Sequence, residues 1–188
     1  LNRSTVATII ANLVNGGLVE EKSGVAGSVG RPSLTVTATP TAMATIGCDL
    51  RENHTSLLAW GLGGRELGRW EQPHIGALGD PVAAATRVVS GVGELVASLP
   101  EVRRWAGIGV AIPGVIDPRR DDEGWVVRRA TSLGWVDVPF GSILTRALGD
   151  LSTSLPSIGP VTLGNDANLG AIAEWSRGVG RGSRVMLF

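Results

Sequence analysis

Apolar residues recur at helical spacing near the start of the chain. Val6, Ile9, Ile10, Leu13 and Val14 share one face, with Thr5, Thr8, Asn12 and Asn15 roughly opposite. Asn2 is a good N-cap for a helix beginning at Arg3, and Leu1 and Val6 have the spacing of a hydrophobic staple. Gly16-Gly17 ends the helix, because glycine enters the left-handed conformation cheaply. Residues 18–21 then read as a strand, 23–33 as a glycine-rich hairpin tip and 34–37 as the return strand.

After a short linker at 40–44, the pattern changes. Residues 45–50, 55–60 and 66–70 read as three strands, the last two joined by a tight turn at Gly63-Gly64. Asp80-Pro81 opens a helix with Val82, Ala85, Val88, Val89, Val92, Leu95, Val96 and Leu99 on its apolar face. The unbroken apolar run at 106–112 predicts a buried strand, stopped by Pro113-Gly114. Helices are expected at 140–148 and 167–177, and strands at 161–163 and 184–188. A three-strand meander followed by alternating helices and strands predicts an α/β fold. Residues 40–188 would be the incomplete N-terminal lobe of an actin-like, ribonuclease-H-like sugar-kinase fold. Residues 1–39 would be the C-terminal half of a winged helix-turn-helix. Both ends of the chain read as cut.

Composition narrows this picture. With 43% apolar residues in 188, the chain sustains a core. The net charge is zero, so any nucleic-acid reading rests on local geometry. Cys48 is the only cysteine, which excludes an intrachain disulfide and a cysteine-cluster metal site. No apolar run reaches spanning length and no signal peptide opens the sequence, so no membrane partner and a cytoplasmic location are expected.

The outward face of the first helix carries short, neutral polar groups. Thr5, Thr8 and Asn12 suit approach to base edges, and Arg3 and Ser4 lie at the helix N-terminus, where free N–H groups favour phosphate. Arg31, in the hairpin tip, would place a guanidinium on the backbone or in the minor groove. A plain amphipathic surface helix followed by an ordinary hairpin is the alternative. The attached hairpin with Gly30-Arg31-Pro32 favours the winged helix.

Six pieces in order carry a family resemblance: the helix–hairpin with Gly30-Arg31-Pro32, Ile46-Gly47-Cys48-Asp49-Leu50, Gly109-Val110-Ala111-Ile112-Pro113-Gly114, Leu133-Gly134-Trp135, Val138-Pro139, and Asn165-Asp166-Ala167-Asn168 with Ala173-Glu174. The chain resembles the repressor branch of the ROK family (repressors, open reading frames and kinases). The resemblance implies that Asp49 ends the strand whose following Gly-Gly-Thr loop holds ATP phosphates in the kinases. Here Arg51-Glu52-Asn53-His54 follows instead. Without glycines the backbone approach is blocked, and Glu52 repels a polyphosphate. The resemblance also makes Asp166 the vestigial position of a general base, and Gly114, Asn165 and Asp166 the sugar contacts. Helix capping by Asp166 and a plain turn at Gly114 remain alternatives. Ser132 stands where the family has an Asn near the sugar, and Glu174 reads more as a solvated group than a ligand. His54 and His74 read as surface or packing residues, and the six tryptophans as core or interface.

The reading is therefore a bacterial sugar-responsive regulator of carbohydrate metabolism, a repressor by preference. It would bind operator DNA through the winged helix and a small carbohydrate effector in the lobe, as a homodimer or homotetramer. No catalytic residue and no cofactor are expected within this chain. The family's structural zinc would belong to residues beyond Phe188. The alternatives are an active hexose kinase with an appended DNA-binding domain, and a constitutive DNA-binding protein whose lobe only dimerises.

Overall fold

The structure, a computed structural model, describes residues 2–23, 34–74, 79–117, 124–151 and 156–187. The first helix, α1 (Arg3–Asn15), starts behind Asn2, whose Oδ1 accepts from the Ser4 amide at 3.4 Å. It ends in a Schellman turn: the Gly17 amide donates to the Val14 carbonyl at 2.8 Å and the Leu18 amide to the Leu13 carbonyl at 2.9 Å. Gly17 carries φ +63°, the left-handed conformation the sequence predicts.

Strands β1 (Val19–Ser23) and β2 (Leu34–Ala38) pair antiparallel, with Val19 opposite Ala38. The hairpin tip, with Arg31, lies outside the described residues. Helix α1 packs on β1 but buries none of its own residues; Val6 and Ile9 remain 39% and 48% exposed. Its apolar stripe borders an open groove of about 720 Å³, lined also by Leu34 and Glu21. A helix on a two-stranded hairpin is what stands; a complete winged helix is not observed as such.

The linker is a packed element. Pro40–Ala42 forms a 3₁₀ turn with Ala42 buried, and the Leu62 amide donates to the carbonyls of Pro40 and Met43 at 3.1 and 2.9 Å. Strands β3 (Ala44–Leu50), β4 (His54–Gly61) and β5 (Arg65–Pro73) form the expected meander. Gly63 and Gly64 turn between the last two with φ +81° and +84°, a pair of values that glycine alone adopts without strain. Side chains alternate across the sheet. Ala44, Ile46, Cys48 and Leu50 point into the core, while Thr45 and Gly47 face outward.

Asp80 caps α2 (Pro81–Ala97) by accepting from the Val82 amide at 2.9 Å. Ala85, Val88, Val92, Leu95 and Val96 are buried as expected; Val82, in the first turn, is 60% exposed. The apolar run becomes β6 (Trp105–Ile112), buried at Ile108, Val110 and Ile112 but only half-buried at Ala106, Gly109 and Ala111. The sheet is therefore fully covered on one face only. Three short strands then follow that the sequence pattern does not announce: β7 (Val115–Asp117), β8 (Val126–Ala130) and β9 (Trp135–Val138), an antiparallel second sheet. Arg128 ties it together, donating to Asp117 Oδ2 at 2.9 Å and to Asp137 Oδ1 at 2.8 Å; these two carboxylates raise the affinity of its guanidinium for its proton.

Helix α3 (Phe140–Leu151), strand β10 (Val161–Asn165) and helix α4 (Asp166–Arg177) complete the order. The main sheet runs β10-β6-β3-β4-β5, parallel from β10 to β3 and antiparallel beyond. Helix α2 packs on β4, β5 and α3, and α4 on β10 and β6. One sequence expectation fails here, and one alternative is settled. Residues 184–187 form no strand, and Val185 and Leu187 are 82% and 97% exposed, with no strand edge to pair with among the described residues. The cap of α4 is Asn165, and Asp166 is the first helical residue.

Candidate functional site

Two parallel strands, β6 and β10, end side by side with Ile112 opposite Asn165. Their carboxyl ends therefore deliver the turn at Pro113-Gly114 and the start of α4 to one place, the edge of a parallel sheet where ligands commonly bind. Asn165 is the keystone of the arrangement. Its Oδ1 accepts from the Asn168 amide at 3.0 Å, and its Nδ2 donates to the Gly114 carbonyl at 2.9 Å and to Asp166 Oδ1 at 3.3 Å. Asp166 Oδ1 also accepts from the Ala167 amide at 2.9 Å. One carboxylate oxygen is thus anchored by the chain, at the N-terminus of α4.

An open pocket of about 480 Å³ lies here, lined by Gly114, Val115, Ile116, Trp125, Asn165, Asn168, Leu169 and Ile172 among others. Gly114 and Asn165 meet in its wall; Asp166, the third expected contact, is next in the chain but is not one of the lining residues. Asn165 spends its amide on the protein, so it acts as a bracket for Gly114 and Asp166. Gly114 is obligatory for a structural reason as well: a Cβ there would collide with the Arg129 carbonyl and the Ala130 side chain of β8. Trp125 and Asn168 border the pocket without having been marked by the sequence. Trp125 follows residues of no periodic pattern, and only the hidden second sheet brings it here. Ser132 lies exposed in the turn Thr131–Leu133, outside the lining. Glu174 turns to the far end of α4, where Oε2 accepts from the Val179 amide at 3.0 Å.

The turn after β3 is closed on itself. The Arg51 amide donates to the His54 carbonyl at 3.0 Å, and Arg51 Nε donates to Asp49 Oδ2 at 2.9 Å. His54 Nδ1 lies 3.0 Å from Asn53 Oδ1, and the Asn53 carbonyl accepts from the His74 amide at 2.9 Å. The amide of Arg51 is consumed within the turn, where an anion cradle would leave it free.

On α1, Arg3, Ser4, Thr5, Thr8 and Asn12 are all exposed. Thr8 Oγ1 donates to the Ser4 carbonyl at 3.1 Å, leaving its methyl group and oxygen lone pairs outward. Arg3 borders the apolar groove beside Val6, on a different side of the helix from Thr8 and Asn12, and Asn15 borders that groove too. Among the tryptophans, Trp105 and Trp135 are core, while Trp175 is 57% exposed. Among the described residues, no three His, Cys, Asp or Glu side chains converge on a metal position, and no helix is long and apolar enough to cross a membrane.

By sequence, no family model and no curated protein matches the chain. By structure, many solved proteins do. A ROK family transcriptional regulator, a homologue of the E. coli MLC protein, superposes with TM-score 0.59 at 18% identity, over 93% of this chain and 41% of its own. The polyphosphate/ATP-glucomannokinase of Arthrobacter sp. strain KM does so with TM-score 0.60 at 27% identity, over 75% and 51%. The ROK hexokinase of Thermus thermophilus gives TM-score 0.52 at 29% identity, over 71% and 38%. The chain spans about half or less of the length of these proteins. Its fold is that of ROK family members, with a transcriptional regulator and sugar kinases both among its structural neighbours.

Proposed function

We propose that this chain is the DNA-reading and effector-binding part of a sugar-responsive transcription regulator. In this reading, residues 1–39 are the recognition helix and wing of a winged helix, and residues 40–188 are a lobe that binds a carbohydrate and has lost phosphoryl transfer. The single observation that carries it is the contrast between the two strand ends. Asn165 stands braced in the wall of an open pocket with Asp166 next to it in the chain, while the turn after Asp49 is closed by Arg51. A carboxylate accepts from sugar hydroxyls, and flat apolar surface such as Trp125 covers a pyranose face. The regulator neighbour supports the first part: it matches 93% of the chain, against 71–75% for the two kinases, and the difference is about the size of the helix–hairpin segment.

A second reading, an active hexose kinase with a DNA-binding appendage, is favoured by one fact. The two neighbours with 27% and 29% identity are kinases, whereas the regulator has 18%. Calorimetry on the full-length protein separates the two readings. The regulator reading expects saturable heat with a hexose or amino-hexose and none with magnesium–AMPPNP. Nucleotide binding with ADP release from ATP supports the kinase.

A further inference from the structure

Arg103 stands in the connection between α2 and β6 and reaches the end of α1. Its Nη2 donates to the Gly17 carbonyl, just past the helix C-terminus. Its backbone N–H donates to the Thr41 carbonyl at 2.9 Å, in the segment that leads from the hairpin into β3. The neighbouring Arg104 carbonyl accepts from the Ala44 amide at 2.9 Å. The fit at Gly17 is close: a Cβ there would lie 2.9 Å from the guanidinium carbon.

Two features give this contact leverage. Helix α1 buries none of its side chains, so apolar packing does little to fix its angle. It also has no basic residue in its last turn, and its free carbonyls gather negative potential there. The cation that answers them comes from the lobe. Two residues on, β6 begins at Trp105 and runs to Ile112, beyond which the Gly114 carbonyl is bonded to Asn165.

We propose that Arg103 is an interdomain clasp that fixes the angle of helix α1 on the lobe and links that angle, through β6, to the pocket at Gly114. The clasp itself stands on the geometry alone; the link to the pocket rests on the sugar-responsive reading above. Arg103 touches neither DNA nor sugar in this account and is a positioning residue.

Spin labels at Ala7→Cys and Ala97→Cys of the full-length protein, with any accessible cysteine outside residues 1–188 replaced by serine, test it; Cys48 is buried and escapes labelling. Pulsed dipolar spectroscopy then reads the distance distribution between α1 and α2. With native Arg103 the distribution is narrow. Arg103→Ala broadens it at least twofold while the melting temperature stays unchanged, and Arg103→Gln, which keeps reach and one donor, lies between. A distribution that neither substitution alters overturns the clasp. D-glucose, D-mannose and N-acetyl-D-glucosamine are then added in turn. A sugar that shifts the distance with native Arg103 and not with Arg103→Ala supports the link; an equal shift in both overturns it. If no sugar binds the protein or moves the distance, the sugar-responsive reading and the link fall together, while the result on the clasp stands.

Discussion

Arg51 folds back on Asp49, with Nε 2.9 Å from Oδ2, so the carboxylate at the end of β3 is neutralised from within its own turn. The side chains are 54% and 31% exposed, which makes the pair a weak stabiliser, worth ~0–1 kcal/mol. Its consequence is functional, because the turn has no glycine and its first amide, that of Arg51, is already bonded to the His54 carbonyl. A coupled ADP-release assay on the full-length protein is expected to give no turnover above blank with any hexose. Asp49→Asn is expected to move the melting temperature little.

Asp166→Asn keeps the oxygen that accepts from the Ala167 amide and removes the charge. The fold is expected to survive unchanged. A charged hydrogen bond to a hydroxyl is worth ~1.5–3 kcal/mol, so sugar affinity is expected to fall roughly 10- to 100-fold by calorimetry. Equal affinity in the variant would remove Asp166 from the binding site.

Asn165→Ala removes the α4 cap and the bond to the Gly114 carbonyl together. A lost cap costs about 1 kcal/mol and an abandoned, half-buried carbonyl about 1–3, so denaturant unfolding is expected to lose roughly 2–4 kcal/mol. The pocket is expected to lose sugar binding with it. Gly17→Ala is expected to cost ~1–2 kcal/mol for the left-handed backbone alone, with the Arg103 guanidinium crowded in addition.

Much of this was legible in the sequence. Asn2, Asp80-Pro81, Gly16-Gly17 and Gly63-Gly64 are local signals, and each element they mark forms where expected. The grouping of Gly114 with Asn165 came from the family resemblance, and the parallel pairing of β6 with β10 places the two together. The second sheet was hidden because β8 carries Arg128 and Arg129 and its burial comes from tertiary packing rather than alternation. Asn165 and Asp166 both suit a cap, and only geometry chooses Asn165. Arg103 was invisible for a different reason: its partner, Gly17, lies 86 residues away, and no spacing rule reaches that far.

Cys48 is fully buried in β3, and burial, with Asp49 beside it, pushes its thiol well above the ordinary range. The folded protein therefore holds the neutral thiol at a pH where the unfolded chain ionises. That contribution is complete below the ordinary thiol value of ~8.5 and is lost as pH rises above it. Thiol reagents are expected to label Cys48 only upon unfolding, which makes labelling a probe of global stability. Rapid labelling of the native protein would contradict the packing of β3.

The most direct measurement is operator binding by the full-length protein, followed by fluorescence anisotropy while D-glucose, D-mannose and N-acetyl-D-glucosamine are titrated in. A coupling of ~1–3 kcal/mol between the two sites corresponds to a 5- to 150-fold change in DNA affinity. At least one of these sugars is expected to produce such a change in the native protein, and Asp166→Asn is expected to need roughly 10- to 100-fold more of it. A DNA affinity that stays the same whichever sugar is present would contradict the account.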